Sequence, residues 1–332
     1  MPRLSLPELE ALAAGALRAA GASKAMAASA ARCLVAADAQ GLGTHGVSRI
    51  PTYVAHLRLG RADGRAVPRI VRKPRPAACL VDAGNGLGFA ACELAVGAAL
   101  KRAQRHGAAI AGVTNGHHSG ALGVLLEPLA AAGLVGLAFS NAPAGIVPWG
   151  GRRALLGTNP VAAVFPRRDG APITVDMSLT QVTRGQIMLL ANAGKVIPEG
   201  WGMDSAGQPT TDPQKILVGG SLHAVGGLKG TMLALAVEIL CCVLTGAALS
   251  HEVESLHLAA GRPLRLGQLF VAIAPGALAG DAAYLQRVET LVEAMLEDEN
   301  VRLPGARRAK MREMAHHEGI EIDDKLYREL KR

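Results

Sequence analysis

The pattern of hydrophobic and polar positions changes its period along the chain and predicts two kinds of structure. Up to about residue 60, apolar residues recur every three or four positions, as they do in amphipathic helices. Ser5 and Glu8 have the spacing of a capping box, Gly21 ends the first helix, and Ser23 can cap the second. The N-terminal part is therefore predicted to be helical, with a break at 41–43.

From about residue 70, short apolar runs of β type alternate with helical patterns. The pattern predicts strands at 77–83, 108–113, 134–140, 159–165 and 171–177, and helices at 89–106, 121–132 and 183–193. Several strands follow one another through short turns, which favours a mixed sheet over a plain doubly wound parallel one. A strand-like run at 267–273 interrupts the otherwise helical C-terminal third.

Three close glycines, Gly84, Gly86 and Gly88, stand between a strand and a helix, where a dinucleotide-binding fingerprint would be expected. The third glycine comes one position early, and Phe89 stands where a small residue is required. The next strand also ends without the carboxylate that would hold the adenine ribose. The motif therefore does not fit a dinucleotide.

Composition and charge narrow the function classes. Half of the residues are apolar and only 3% are aromatic, which predicts closely packed helices with small side chains. The net charge of +8 is compatible with nucleic-acid binding. However, the basic residues are scattered in pairs without interleaved aromatic residues, and a groove for a small anionic ligand explains the charge at least as well. Non-enzymatic nucleic-acid binding is kept only as the more remote alternative.

The five cysteines lack metal-ligand spacing and are interpreted as buried thiols of a reduced, cytoplasmic protein that binds no metal. The N-terminus lacks the layout of a signal peptide. The apolar run 231–249 is long enough to span a membrane, but Glu238 lies at its centre. We therefore predict a buried core helix that ends at Gly246, and no association with a membrane.

Two stretches concentrate the reactive groups. In the first, Thr44, His45 and Arg49 follow a helix break, so an imidazole and a guanidinium can face one pocket. Such a pair suits reduction of a 2-oxo acid, because arginine binds the carboxylate and histidine delivers a proton. Spacing alone favours the ordinary alternative of a capping hydroxyl, a loop histidine and a surface arginine.

In the second stretch, 114–123, a strand ends, two histidines follow, and a helix begins near Ser119. Backbone N–H groups at that start would suit a phosphate. Lys229, just before the apolar run, can reach a phosphate or carboxylate, although a solvated lysine is the default.

Taken together, "THGVSRIPTY" (44–53), "HHSGALG" (117–123), "LGTNP" (156–160), "VDMS" (175–178), "IPEGWGMDSAGQPTTDP" (197–213), "GGLKG" (226–230) and "VRLPGARR" (301–308) resemble the malate/L-lactate dehydrogenase type-2 family. The resemblance runs from about residue 6 to residue 330. It implies an α/β fold with a non-Rossmann mixed sheet and an N-terminal helical domain. It divides the chain into a helical domain (1–70), joined by C-terminal helices (250–332), and an α/β cofactor-binding domain (71–249).

The resemblance also implies the roles of individual residues. His45 matches the catalytic acid/base assisted by Thr44, Arg49 matches the arginine that binds the substrate carboxylate, and His118 matches a second candidate for proton transfer. Cofactor contacts are implied for His118, Ser119, Gly120, Ala121, Leu122, Ser140, Thr158, Asp176, Met177, Ser178, Lys229, Gly230, Pro304, Gly305, Arg307 and Arg308. The family usually carries Glu where this chain has Ala306.

The implied activity is an NAD- or NADP-dependent interconversion of a small 2-hydroxy acid and 2-oxo acid in a cytoplasmic homodimer. "SRIPTYVAHLRLGRADGRAVP" (48–68) and "VTRGQIMLLANAGKVIPEGW" (182–201) look closest to the sulfolactate dehydrogenase-like members, whose substrate carries two anionic groups. The alternative is an imine reductase acting on a cyclic imino acid. That branch carries an aspartate where this chain has Gln186.

Overall fold

The computed structural model describes residues 1–71 and 75–331. Residues 72–74 of the predicted α/β domain and residue 332 of the C-terminal segment lie outside the described residues. The helices are α1 (Leu6–Ala19), α2 (Lys24–Ala39), α3 (Ile50–Arg58), α4 (Gly88–His106), α5 (Leu122–Ala131), α6 (Arg184–Asn192), α7 (Pro213–Leu217), α8 (Leu228–Glu238), α9 (Asp281–Leu296), α10 (Ala306–Glu318) and α11 (Asp324–Leu330). The strands are β1 (Arg3–Leu4), β2 (Arg69–Ile70), β3 (Ala78–Asp82), β4 (Ala108–Gly116), β5 (Val135–Ser140), β6 (Ala144–Ile146), β7 (Leu156–Gly157), β8 (Val161–Phe165), β9 (Ile173–Met177), β10 (Gly202–Met203), β11 (Ser221–Leu222), β12 (Leu266–Ile273) and β13 (Ile320–Glu321).

The main sheet has seven strands in the order β2-β3-β4-β12-β5-β8-β9. Only β3 and β4 pair in parallel, and every other neighbouring pair is antiparallel. The α/β fold with a mixed, non-Rossmann sheet is therefore confirmed. The strand predicted at 267–273 lies at the centre of this sheet, between β4 and β5.

The N-terminal helices form as their sequence signals predict. Ser5 and Glu8 make the reciprocal bonds of a capping box at α1, and the Ser23 hydroxyl accepts the N–H of Met26 at the start of α2. The C-terminus returns to these helices, because β13 pairs with β1 and Arg3 lies opposite Glu321. The division into a helical domain and a cofactor domain stays a prediction, and β12 adds a C-terminal strand to the sheet.

Small side chains let the layers approach closely. The main hydrophobic core contains many fully buried alanines of α2 and α4 beside Phe89 and Phe270. A smaller sheet in the order β10-β11-β6-β7 lies beside it. The segment between α6 and α7 is ordered by this smaller sheet and by packing of Ile197 with Ile187, Ile216 and Leu222.

The helix predicted at 231–249 is found to within a few positions, but the prediction that it is a buried core helix is wrong. Helix α8 continues after Glu238 as a π-helical turn, Ile239–Val243, and the helical segment stops three residues before Gly246. Only one face is buried, around Val237, Glu238 and Cys241. The opposite face exposes large apolar side chains: Met232, Leu233, Leu235, Ile239, Val243 and Leu244. Among residues 1–71 and 75–331, no helix is long and apolar enough to cross a membrane.

Candidate active site

The segment that carries the first predicted cluster is fixed by a buried carboxylate. Residues Gly43–His45 and Val47–Arg49 form two 3-10 turns. At the start of the second turn, the backbone N–H of Val47 donates to Asp38 Oδ2 at 2.7 Å. Burial raises the pKa of Asp38 to about 6, although this hydrogen bond opposes the shift. Gly46 packs so closely on this carboxylate that a Cβ atom would overlap it, which explains the glycine.

Thr44, His45 and Arg49 meet on the open side of this segment. The Thr44 hydroxyl lies 3.1 Å from His45 Nδ1. Arg49 donates through Nε to the Thr44 carbonyl at 2.6 Å, which leaves its two terminal nitrogens for another partner. Burial and the Arg49 guanidinium lower the pKa of His45, whereas Asp176 acts to raise it. His45 is therefore neutral at pH 7.

His118 lies beside His45 and is held by two donors. The two rings stack with centroids 5.7 Å apart. The Gly120 backbone N–H donates to His118 Nδ1 at 3.3 Å, so Nδ1 is an acceptor, and the buried Tyr53 hydroxyl lies 2.6 Å from the same atom. Burial, followed by the charges of His45 and Arg49, lowers the pKa of His118 well below its usual value. His118 is consequently neutral and carries its proton on Nε2.

One face of α3 organises the surroundings of the two histidines. Arg49, Tyr53 and His56 follow one another at helical spacing, so their side chains lie on the same face. His56 Nδ1 lies 2.8 Å from His117 Nε2, and His56 Nε2 lies 2.9 Å from the Leu258 carbonyl. Burial lowers the pKa of His117 to about 3, so this wholly buried pair is uncharged. The uncharged pair connects α3 to the strand end that carries His118.

Arg61, just after α3, is a fully buried guanidinium. It donates to the backbone carbonyls of Arg262, Ser255, Leu258 and Glu254. Its Nη2 also lies 3.8 Å from a Glu254 carboxylate oxygen. Arg61 therefore fixes the 254–262 loop against the helix that carries Tyr53.

A second group of predicted residues meets across the edge of the main sheet. Arg308 donates to Asp176 Oδ2 at 2.9 Å and to the Asp176 carbonyl at 3.1 Å. The Gly123 backbone N–H, in the first turn of α5, donates to the same carboxylate at 3.1 Å. The charges of Asp176 and Arg308 both act on the pKa of His45, so this ion pair lies close to the histidine cluster.

The remaining residues with predicted cofactor contacts fall into several environments. The first environment is the junction of β4 and α5, which buries Ser119, Ala121 and Leu122 next to Gly120. The second is the end of β5, where Ser140 is buried and its hydroxyl donates to the Asn141 carbonyl. Thr158 and Ser178 lie near each other, since the Thr158 carbonyl accepts the N–H of Leu179. Partly or fully exposed positions are Met177, Lys229, Pro304 and Arg307, whereas Gly230 is buried.

Pro304 and Gly305 pack on β9: the Pro304 carbonyl accepts the N–H of Thr174 at 3.0 Å, and Gly305, at φ +91°, caps α10. Arg308 rather than Arg307 makes the contact with Asp176.

The glycines at 84–88 form a structural turn. Asp82 Oδ1 accepts the N–H of Gly84 at 2.9 Å and the side-chain amide of Asn115 at 3.0 Å. Gly88 packs directly on the carbonyl of His117, where a Cβ atom would overlap it. This turn supports the strand end that carries the histidines.

Two of the positions with predicted cofactor contacts carry charge that suits the phosphates of a dinucleotide. Arg307 and Lys229 are exposed, and within the described ranges neither has a carboxylate at ion-pair distance, so both can receive phosphate charge. A cavity of about 360 Å³ is lined by Gly123, Thr174, Gly305 and Arg308, three of which lie near the Asp176–Arg308 ion pair. No group of three or more His, Cys, Asp or Glu residues among those that the structure describes could hold a metal ion.

Several contributors to this site were not singled out from the sequence. No short motif typical of a function marks Asp38, Tyr53, His56 or Arg61 in the sequence. The same holds for His257 in the 254–262 loop. The spacing of Arg49, Tyr53 and His56 on one helix face was the only local signal, and it becomes informative once α3 is known to face His117 and His118.

Comparisons with known proteins show the family of the chain. Residues 4–331 match the family model described as malate/L-lactate dehydrogenase. The chain is 40% identical over 328 residues to the (2R)-3-sulfolactate dehydrogenase (NADP(+)) of Chromohalobacter salexigens, covering 99% of this chain and 97% of that protein. It is 38% identical over 330 residues to the Δ(1)-pyrroline-2-carboxylate/Δ(1)-piperideine-2-carboxylate reductase of Pseudomonas putida, covering 99% and 96%.

Among solved structures, the Δ1-piperideine-2-carboxylate reductase of Pseudomonas syringae pv. tomato superposes with a TM-score of 0.94 at 35% identity, covering 100% of this chain and 99% of that chain. Sequence, fold and site thus lead to one family. The chain belongs to the malate/L-lactate dehydrogenase family and is an NAD(P)-dependent oxidoreductase.

Proposed function

We propose that the protein interconverts a small dianionic 2-hydroxy acid and its 2-oxo acid, of the malate or sulfolactate type, with NAD or NADP. The observation that carries this proposal is the cluster of His45, His118 and Arg49. Arg49 has free terminal nitrogens beside two neutral imidazoles, and no carboxylate in the described residues lies at ion-pair distance from it. A substrate carboxylate supplies the missing negative charge.

The cofactor, when bound, supplies or accepts the hydride at C2 of the substrate. Every other task falls to side chains of this chain. Arg49 binds the substrate carboxylate through both terminal nitrogens and so orients C2. During reduction a proton must reach the oxygen on C2, and during oxidation it must leave.

Geometry favours His45 as the group that moves this proton. His118 Nδ1 already accepts from Gly120, so its Nε2 bears hydrogen and serves as a fixed donor to the substrate oxygen. Among the described residues, His45 hydrogen-bonds through its side chain to the Thr44 hydroxyl, which is itself exposed, so its imidazole is free to gain and lose a proton. Thr44 acts by orienting the ring.

The proposed activity is tested by following the absorbance of NADH and NADPH with pyruvate, oxaloacetate, sulfopyruvate and a cyclic imine. We expect oxidation of the nicotinamide with oxaloacetate or sulfopyruvate, more efficiently than with pyruvate, because two negative charges suit a pocket rich in cations. Turnover of the cyclic imine alone would contradict the proposal.

Reduction of a cyclic imino acid is the second candidate. The observation that favours it is the sequence identity to the Pseudomonas putida reductase, 38%, which is nearly as high as the 40% identity to the sulfolactate dehydrogenase. Gln186 weighs against it. Gln186 lies in the first turn of α6, next to Gly185, which packs against Thr44. At this position the imine-reducing branch has an aspartate, whereas Gln186 carries no charge.

Tyr53 offers a test of the role of His118. The change Tyr53→Phe removes one donor to Nδ1 and loosens the imidazole without altering its chemistry. We expect kcat to fall by about 2- to 10-fold, the value of one hydrogen bond, while the Kd of NADPH is unchanged. Tyr327→Phe, in α11, is the matched control. An unchanged kcat in Tyr53→Phe would remove this bond from the mechanism.

The homodimer and the cytoplasmic location also stay predictions. The apolar side chains of Met232, Leu235, Ile239 and Val243 are between 48% and 64% exposed, and pairing of two copies through this face would cover them. The cofactor-dependent activity proposed here makes the nucleic-acid-binding alternative unnecessary.

A further inference from the structure

The Arg49 guanidinium lies beside the two neutral histidines without a carboxylate at ion-pair distance among the described residues. The pKa of His118 is lowered by burial and then by His45, Arg49, His117 and His257, and no acidic side chain opposes them. Asp176 is engaged with Arg308. Because the histidines are neutral, a second anionic group on the substrate would need a further arginine near this pocket.

His257 is carried to this pocket by the 254–262 loop. The loop is pinned on both sides of His257, because Arg61 binds the carbonyls of Ser255 and Arg262, and both Arg61 and His56 bind the carbonyl of Leu258. His56 lies on the same face of α3 as Arg49. The His257 side chain is exposed, and the charges of Arg49 and Arg184 both act on it.

Arg184 reaches the same place from another element. Thr183 caps α6, and a Cβ atom on Gly185 would lie 3.4 Å from Cγ2 of Thr44, so the first turn of α6 packs on the His45 segment. Arg184 donates one hydrogen bond, from Nη2 to the Leu217 carbonyl at 3.1 Å. Its half-buried guanidinium has no carboxylate at ion-pair distance in the part of the chain that the structure describes.

We propose that Arg184 and His257 form a second anion subsite that binds the distal anionic group, carboxylate or sulfonate, on C3 of the substrate. This inference rests on the proposed function and specifies its substrate. Arg49 holds the carboxylate next to C2, and the distal group points towards α6 and the 254–262 loop. Arg184 supplies a permanent charge and free N–H donors, and His257 supplies a further N–H donor.

The kinetic test compares the wild type with Arg184→Gln and His257→Ala on pyruvate, oxaloacetate and sulfopyruvate. Each variant should raise the KM of the two dianionic substrates by about tenfold or more, the effect of losing one charge-assisted hydrogen bond. The KM and kcat of pyruvate should stay within about twofold. Lys195→Gln is the matched control, because it removes one positive charge three residues beyond the end of α6. It should change neither the KM of the dianionic substrates nor the kinetics with pyruvate. Equal losses with pyruvate would overturn the subsite.

A binding measurement separates this inference from the proposed activity. Calorimetric titration of the wild-type protein with 3-sulfopropanoate, and with propanoate as the monoanionic control, requires no turnover. We expect tighter binding of 3-sulfopropanoate, and loss of that difference in Arg184→Gln and His257→Ala. If both acids bind equally to the wild type, the subsite is wrong even if a 2-oxo acid is reduced. If the difference is found but no 2-oxo acid is reduced, the subsite stands and the proposed reaction fails.

Discussion

Replacing His45 by alanine is expected to lower kcat by about 10²- to 10⁴-fold, because that is the typical contribution of a positioned general acid or base. The affinity for NADPH, measured by fluorescence titration, should be preserved, since the loop geometry depends on Asp38 and Val47 rather than on the imidazole. His106→Ala, at the exposed end of α4, is the control. A variant with near-normal turnover would exclude His45 from the reaction.

The pH dependence of the wild type gives a second measure of the same group. Burial and Arg49 lower the pKa of His45 from 6.5, so the neutral imidazole predominates above that lowered value. Oxidation of the hydroxy acid needs the neutral base, and its kcat/KM should therefore fall as the pH drops through the lowered pKa. Reduction needs the protonated form, and its kcat/KM should fall as the pH rises. Parallel profiles in both directions would contradict this assignment.

The second large effect is expected at Arg61. In Arg61→Met the carbonyls of Ser255 and Arg262 lose the Arg61 donor, and the carbonyl of Leu258 keeps only its contact with His56, while the apolar volume is largely kept. Loss of one hydrogen bond to a charged group typically costs about 1.5–3 kcal/mol, and the loss of several should appear as a lowered Tm in calorimetry. Limited proteolysis should then cut within 254–262 before the rest of the chain.

Arg58→Met provides the control for this prediction. Arg58 lies in the last turn of α3, three residues before Arg61, but its side chain is exposed. The same substitution there should leave Tm almost unchanged. If both variants unfold at the wild-type temperature, the Arg61 network contributes nothing to stability and does not fix the loop.

Prediction from the sequence succeeded where local interactions decide the structure. The capping residues Ser5 and Ser23 act within four residues of their own positions, and the alternation of apolar residues locates β5, β8 and β9 to within a few positions. For the same reason the Thr44–Arg49 stretch could be singled out, since its reactive groups are neighbours in the chain.

The surroundings of the site could not be predicted in this way. Arg308 meets Asp176 across 132 positions and Arg61 meets Leu258 across 197, so these contacts depend on where the chain returns and not on local propensity. The exposed face of α8 could not be predicted either, because a segment that is apolar all round has no pattern that shows which face the rest of the protein covers.

By itself, the amino-acid sequence determined the helices and strands of this protein, the mixed character of its sheet and the pairing of His45 with Arg49 in one short segment. Only the tertiary structure decided that β12 enters the middle of the sheet, that Tyr53 meets His118, and that the first turn of α6 packs on the segment that carries His45. The physical reason is that short-range hydrogen bonds and side-chain periodicity act within a few residues, whereas a pocket is formed by side chains that only the packing of distant elements brings together.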